Sequence, residues 1–130
     1  MLEYRMTSVL NVDTIADKAG TGPVGLTKQI AAKHFCVFDG TSTAAVDTSF
    51  NNSSLTDNGT GHYTITVTNA FSSIHFALTG ATVGNNEAFN YIATDGTVKT
   101  ASTADFKCYQ YDGNVNDTDT VDIVSHGDLA

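Results

Sequence analysis

The acidic run near the C-terminal end is the segment closest to a known metal-binding pattern. Asp112, Asn114 and Asn116 fit the first, third and fifth positions of an EF-hand calcium loop. The pattern then fails, because Asp117 stands where glycine is required and Ile123 stands where a bidentate glutamate is required. We interpret the run as a solvated acidic turn, with adventitious cation binding as the alternative, and expect no metal cofactor.

Histidines and cysteines could also bind a metal or serve a nucleophilic reaction, provided that they converged in space. The four histidines fall on different predicted strands, and we expect them at the surface or in subunit contacts. They are His34, His62, His75 and His126. No histidine lies at zinc-ligand spacing from Cys36 or Cys108. Both cysteines have apolar or aromatic neighbours, which favours two buried thiols and leaves a disulfide between early and late strands as the alternative.

Motifs of the common enzyme classes are absent from the sequence. It contains no Gly-x-Ser-x-Gly elbow, no phosphate loop and no dinucleotide fingerprint. The carboxylates concentrate in predicted turns, where solvation keeps them ionised, so a pair tuned for acid and base catalysis has little support. We therefore expect a protein that is not an enzyme, with no catalytic residues and no cofactor.

Two tyrosines could form a ligand platform instead. Tyr109 and Tyr111 lie two residues apart on one predicted strand, which puts both rings on the same face. Sugars bind to such aromatic platforms, so a carbohydrate-binding β-sandwich module is one possible function. Packing of the same rings in the core is the competing interpretation, and the chain has no tryptophan to strengthen the platform.

Alternation of apolar and polar residues predicts the strands that must position these groups. His62–Thr68 is the clearest, with Tyr63, Ile65 and Val67 on one side and polar residues on the other. Ile74–Leu78 repeats the pattern, with its first, third and fifth residues facing inward. Further predicted strands are His34–Phe38, Ala44–Phe50, Ala88–Ala93, Asp105–Tyr111 and Val121–Ser125.

Glycine-containing turns separate the predicted strands. They are Asp39-Gly40, Asp57–Gly61, Asp95-Gly96 and Asp112-Gly113. The second of these contains Asn-Gly, which accepts positive φ and is a strong hairpin signal. About seven short strands at roughly ten-residue spacing are typical of a sandwich or barrel. We predict an all-β fold, an antiparallel β-sandwich of jelly-roll-like or Ig-like type, over residues 34–130.

Residues 1–33 have a different character and are predicted to form an extended N-terminal arm. Their apolar residues are too few for a core of their own, and Gly20–Pro23 breaks the pattern. An arm of this kind buries its apolar side chains against its own body or another subunit. The candidate assembly residues are Leu10, Val12, Ile15, Leu26 and Ile30.

Charge separates the same two regions. The whole chain carries a net charge of −8, which divides into +1 over residues 1–36 and −9 over residues 37–130. Nucleic-acid phosphates would repel so acidic a body, so we expect no nucleic-acid partner. No apolar run approaches the roughly 20 residues of a membrane span. Polar residues rather than an apolar segment follow Met6, so we expect no signal peptide. Either Met1 or Met6 could be the natural start.

Several segments of the first 70 residues form a recognisable set. They are Leu26–Gln29, Ala31–Phe35, Phe38–Thr41, Ser49–Asn51, Ser53–Gly61 and Tyr63-Thr64, and the run Thr56–Gly61 is the most distinctive. These segments resemble a family of phage structural proteins found in marine and cyanobacterial phages as tail-fibre-like or other virion proteins. The opening Ser8–Ile15, followed by Gly20–Pro23, is similar to the lead-in of those proteins, and beyond residue 70 only the strand spacing agrees.

The resemblance implies a non-enzymatic virion component, made in the host cytoplasm and assembled on the particle as a homotrimer. Its partners would be sister subunits and capsid or tail proteins, and it could contact a glycan on the host surface. The chain is too short to contain a long shaft, which favours a head-fibre, decoration or fibre-tip protein over a complete tail fibre. No catalytic residues come with the resemblance.

Overall fold

The computed structural model describes residues 31–84 and 90–130, with residues 90 and 95–98 described by their backbone alone. All regular secondary structure in these ranges is β-strand. The strands are β1 (His34–Asp39), β2 (Ala45–Phe50), β3 (Asn52–Gly59), β4 (His62–Val67), β5 (Ala77–Val83), β6 (Asn90–Lys99), β7 (Thr103–Gln110) and β8 (Thr120–His126).

The strands form two antiparallel four-stranded sheets that pack against each other. The first sheet has the order β2-β1-β8-β5 and the second has the order β3-β4-β7-β6. Every pairing is antiparallel, and the first and last strands of the body are neighbours in the first sheet. The prediction of an all-β antiparallel sandwich is therefore confirmed.

The core lies between the inner faces of the two sheets. Alternate residues of β1, β4, β7 and β8 are buried, as the period of two requires. An aromatic trio occupies the centre: Phe38 meets Tyr63 edge to face at 4.9 Å, and Phe106 lies 6.2 Å and 6.0 Å from them. All three are fully buried, and each contributes about 1.5–3 kcal/mol by burial. The trio joins both sheets into one core.

A second aromatic pair lies where the sequence predicts the strand Ile74–Leu78, and the strand observed there is shorter. Phe76 stacks on Phe71 with ring centroids 4.1 Å apart, and the Lys99 ammonium lies 4.0 Å from the centre of the Phe76 ring. This packing holds Phe76 in a bent segment, so β5 begins only at Ala77 and Ile74 is 52% exposed. The prediction that Ile74 faces inward is wrong, because tertiary stacking overrides the local alternation.

The hairpin predicted around Asn-Gly exists, and its turn lies at the end of the predicted segment Asp57–Gly61. Strand β3, which the sequence analysis did not predict, continues to Gly59, and Thr60-Gly61 form the two-residue loop before His62. Gly61 has φ of +58°, and a Cβ there would stand 2.7 Å from the backbone of Asn116. Only glycine fits both the turn and this close approach.

The turn predicted at Asp95-Gly96 is wrong, because β6 continues through both residues. Its pairing with β7 shifts between Thr94 and Lys99, so several residues of β6 oppose a single residue of β7. A glycine inside a strand commonly marks such a bulge. Edge strands β2 and β3 also carry register shifts, the first at Asp47, whereas β5 pairs with β8 without interruption.

Candidate functional site

The outer face of the first sheet carries a group of neighbouring apolar side chains. Phe35 lies opposite Phe50 on one side and Val124 on the other, and the residues that alternate with Phe35 and Val124 point into the core. The rings of Phe35 and Phe50 stack at 6.3 Å, and Phe50 remains 56% exposed. We call this surface the apolar face. It comprises Phe35, Val37, Phe50, Ala77, Thr79, Ala81, Val83 and Val124, and the same outer face also carries Asp39, Thr48, Thr120, Asp122 and His126.

The outer face of the second sheet is polar by contrast. We call it the polar face, and its central side chains are His62, Thr64, Thr66, Thr103, Asp105 and Lys107. His62 Nε2 lies 2.6 Å from Asp105 Oδ1 across β4 and β7. An ionised carboxylate only accepts hydrogen bonds, so Nε2 carries the proton that it donates. The two outer faces of one sandwich therefore differ in chemistry, and an ordinary solvated sheet looks like the polar one.

A stacked tyrosine pair borders the polar face, and it is not the pair that the sequence predicts. Tyr109 of β7 stacks on Tyr91 of β6, with centroids 5.2 Å apart and planes 11° apart. Tyr91 is 39% exposed. The other predicted platform residue, Tyr111, follows the end of β7 and is 69% exposed. The sequence analysis missed Tyr91 because pairing across strands depends on register, which spacing along one strand does not reveal.

One histidine contradicts the expectation that all four lie at the surface or in contacts. His34 is fully buried, with Nε2 3.3 Å from Asn52 Oδ1 and Nδ1 3.2 Å from Ser125 Oγ. The Asn52 amide oxygen can only accept a hydrogen bond, so His34 Nε2 donates it. Nδ1 of the neutral ring then accepts a hydrogen bond from the Ser125 hydroxyl. Burial lowers the pKa of His34, although the Asn52 hydrogen bond opposes that shift. Ser125 is also fully buried, so this grouping joins strands rather than meeting a substrate.

The two cysteines are free and buried, and the structure does not show the alternative of a disulfide between them. Cys36 lies on β1 of the first sheet and Cys108 lies on β7 of the second. Burial raises the pKa of each thiol to about 11. Both thiols therefore pack as small apolar groups and remain protonated at neutral pH.

The acidic run uses its polar groups within the fold. The Asp112 carboxylate accepts the Asn114 backbone N–H at 3.0 Å and its side-chain amide at 2.7 Å, and these bonds lower the pKa of Asp112. Asp117 Oδ1 accepts the Gly61 N–H at 2.7 Å and the Tyr63 hydroxyl at 3.1 Å. Within the described ranges, no three His, Cys, Asp or Glu side chains converge as metal ligands.

The Tyr63 hydroxyl also connects the two ends of the core. It donates to the carbonyl oxygen of Gly40 at 2.8 Å, and the Gly40 N–H in turn donates to the Thr118 carbonyl at 3.0 Å. Burial, followed by the negative charge of Asp117, raises the pKa of Tyr63. A buried side chain of β4 thus holds both the loop after β1 and the loop before β8.

The five predicted arm residues, Leu10, Val12, Ile15, Leu26 and Ile30, lie outside the described residues. Comparison with protein-family models, curated proteins and solved structures finds no match to this chain. In the part of the chain that the structure describes, no helix has the length and apolar character needed to cross a membrane.

The sequence did contain a signal for the apolar face. Phe35–Phe38 is a continuous apolar run, which is typical of a strand with both faces covered. Phe50 lies at the edge of the same sheet and extends this surface.

Proposed function

We propose that this chain is a non-enzymatic structural protein of a phage particle, of the tail-fibre-like, head-fibre or capsid-decoration kind, which assembles as a homotrimer. The phage setting rests on the resemblance of residues 7–70 to that family. The observation that carries assembly is the contrast between the apolar face and the polar face of the same sandwich. The protein would be made in the host cytoplasm and reside in the virion.

The shape of the apolar face favours a second copy of this chain as its occupant. The stacked rings of Phe35 and Phe50 rise at one margin, whereas Ala77 and Ala81 of β5 leave the opposite margin shallow. The raised margin of one subunit fits the shallow margin of the next. Such a contact joins two different patches, and it closes into a ring when the rotation permits, as in a trimer.

The size of the face sets the strength of this contact. Four strands of about six residues cover roughly 20 Å by 19 Å, or about 400 Å² on each subunit. Stable complexes bury about 800 Å² per partner, so this face alone gives a weak association that depends on concentration. Assembly on a particle compensates, because neighbouring sites hold each subunit at high effective concentration.

The acidic charge of the body suits a position that faces solvent. Residues 37–130 carry a net charge of −9, which would repel encapsidated nucleic acid. In salt-rich water the Debye length falls to about 10 Å or less, so repulsion between neighbouring subunits is weak.

Sedimentation velocity of the full chain over a wide concentration range tests self-association. We expect a monomer–oligomer equilibrium in the parent protein and a shift to monomer in Phe50→Ser, because that ring is 56% exposed on the raised margin. Loss of its burial costs up to about 2 kcal/mol per contact, or about 30-fold in the association constant. Tyr111→Ser is the control, since Tyr111 is as exposed but lies outside the apolar face.

A parent protein that stays monomeric at the highest concentration, or a Phe50→Ser variant that associates as the parent does, would refute assembly through this face. The phage setting has a separate test. Mass spectrometry of purified particles from a phage that encodes the chain should detect it at a fixed ratio to the capsid protein. Its absence from intact particles would refute the virion role.

A further inference from the structure

We propose that the edge strand β5 pairs with β5 of a second copy of this chain, antiparallel and about a two-fold axis. The first sheets of two subunits, with four strands each, then form one continuous sheet. This contact deepens the proposed function, and it rests on that function in its use of the apolar face. The two contacts use different parts of β5, because pairing uses the backbone groups of its free edge and the apolar face uses its outward side chains.

The backbone of β5 is accessible along its edge. Among the described strands, β5 has a hydrogen-bonded neighbour on one side only, which is β8. Five of its seven residues are exposed, and they are Ala77, Thr79, Gly80, Ala81 and Val83. Glycine has no side chain, so the exposed area of Gly80 belongs to the backbone itself. The N–H and C=O groups that point away from β8 are therefore open to pairing with another strand.

Strand β5 lacks the features that protect the other edges of the sandwich. Natural edge strands avoid pairing through charged residues, proline or bulges. Each of β2, β3 and β6 has a register shift and at least one charged residue, such as Asp47, Asp57 and Lys99. The sequence of β5 is Ala-Leu-Thr-Gly-Ala-Thr-Val, with no charge, no proline and no register shift against β8. An edge of this form is suited to a partner strand.

The sequence of β5 is compatible with pairing to itself. An antiparallel register that uses all seven residues places Gly80 opposite Gly80 of the second copy, on the two-fold axis. Thr79 then lies opposite Ala81, and Ala77 lies opposite Val83. These four residues share the outer side of the sheet, because their partners in β8 alternate with its buried residues. Small, uncharged side chains therefore meet across the axis, without the like-charge contacts that destabilise cross-strand pairs.

A second copy as the occupant doubles the surface available for assembly. The two apolar faces lie on the same side of the continuous sheet, so they form one surface of about 800 Å² from two faces of about 400 Å². Stable complexes bury about 800 Å² per partner, an area that one face alone does not reach. A two-fold contact also uses both edges, so the pairing stops at two copies.

The edge contact alone is weak. Two strands without added packing are marginally stable in water, so we expect a dissociation constant of about 1 mM or weaker. Sedimentation at concentrations well below this value reports on the apolar face, and the edge contact needs a method that traps it. Residues 37–130 carry a net charge of −9, so the trap is applied at high salt, where repulsion between the bodies is screened.

Disulfide trapping tests the pairing in the full chain that carries Phe50→Ser, because this change removes the contact through the apolar face. An isotope-labelled Thr79→Cys variant is mixed with an unlabelled Ala81→Cys variant and oxidised, and intact mass distinguishes heterodimers from homodimers. Directly opposite residues have Cα atoms about 4.5–5.5 Å apart, within disulfide reach, whereas Thr79 lies about 7–8 Å from its own copy. We expect at least about tenfold more heterodimer than either homodimer, against about twofold for random collision. The native Cys36 and Cys108 are buried and should not crosslink.

Two further mixtures show whether the trapped contact is specific, and circular dichroism checks that each variant is folded. Ala77→Cys with Val83→Cys repeats the test at the ends of the strand and should also favour the heterodimer. Thr79→Cys with Tyr111→Cys, at an exposed residue outside the first sheet, should give the random ratio. A random ratio in either β5 mixture, or the same enrichment with Tyr111→Cys, would overturn the proposal. Failure of assembly through the apolar face would leave these ratios unchanged, so failures of the two contacts are distinguishable.

Discussion

Removal of the Tyr63 hydroxyl should destabilise the body far more than removal of any exposed tyrosine hydroxyl. Tyr63 is fully buried and donates to the Gly40 carbonyl at 2.8 Å and to Asp117 Oδ1 at 3.1 Å. In Tyr63→Phe the buried Gly40 carbonyl loses this donor, whereas Asp117 is half-buried and keeps the Gly61 N–H at 2.7 Å. Loss of the bond to the buried carbonyl costs about 1–3 kcal/mol. For a body of residues 31–130, each 1 kcal/mol lowers the melting temperature by about 4–8 °C, so a loss of about 2 kcal/mol corresponds to about 8–16 °C.

Urea and thermal unfolding followed by far-UV circular dichroism measure this loss. Tyr111→Phe is the control, and because Tyr111 is 69% exposed we expect its free energy of unfolding to change by less than about 0.5 kcal/mol. A double-mutant cycle with Asp117→Ala isolates the bond between the two side chains and should give a coupling energy of at least about 0.5 kcal/mol. A Tyr63→Phe loss no larger than that of Tyr111→Phe would refute the role assigned to this hydroxyl.

Three further expectations concern other parts of the chain. Burial lowers the pKa of His34 below 6.5, so as the pH drops the unfolded state takes up a proton on this ring before the folded state does, and the free energy of unfolding falls below pH 6.5. His34→Gln should therefore flatten the pH dependence of the urea midpoint. His75→Gln, at an exposed position, should not. Burial raises the pKa values of Cys36 and Cys108 to about 11, so a disulfide reagent at pH 8 should modify neither thiol until denaturant is added. Rapid labelling of the native protein would contradict the burial of these thiols. Deletion of residues 1–22 should abolish incorporation into particles, as measured by particle composition, and should leave the body folded, as measured by circular dichroism. Unchanged incorporation would exclude anchoring by the arm.

The sequence predicts the central strands well because burial on one face imposes a strict period of two. The His62–Thr68 pattern corresponds to β4, and the residues predicted to face inward, Tyr63, Ile65 and Val67, are all in the core. Local chemistry was also sufficient at Gly40, which directly follows β1, and at Asp112-Gly113, which lies between β7 and β8. These features depend on residues close together in the chain.

The features that escaped prediction depend on contacts between distant residues. Strand β3 is mostly exposed and lacks clean alternation, so only its pairing with β4 defines it. Phe76 leaves the strand pattern because Phe71 stacks on it, and β6 absorbs Asp95-Gly96 as a bulge because β7 continues alongside. The stack of Tyr91 on Tyr109 and the hydrogen bond of His62 with Asp105 likewise require a register that one sequence does not specify.

The irregular edges of the sandwich affect how densely it can be displayed. A continuous unpaired strand edge templates further strands, and crowding at a particle surface would favour such growth into fibrils. Register shifts interrupt the edge strands β2, β3 and β6, and among the described edges only β5 keeps a regular backbone ladder. On the proposed particle, subunits could therefore be crowded together with few strand edges other than β5 at which a cross-β aggregate could nucleate.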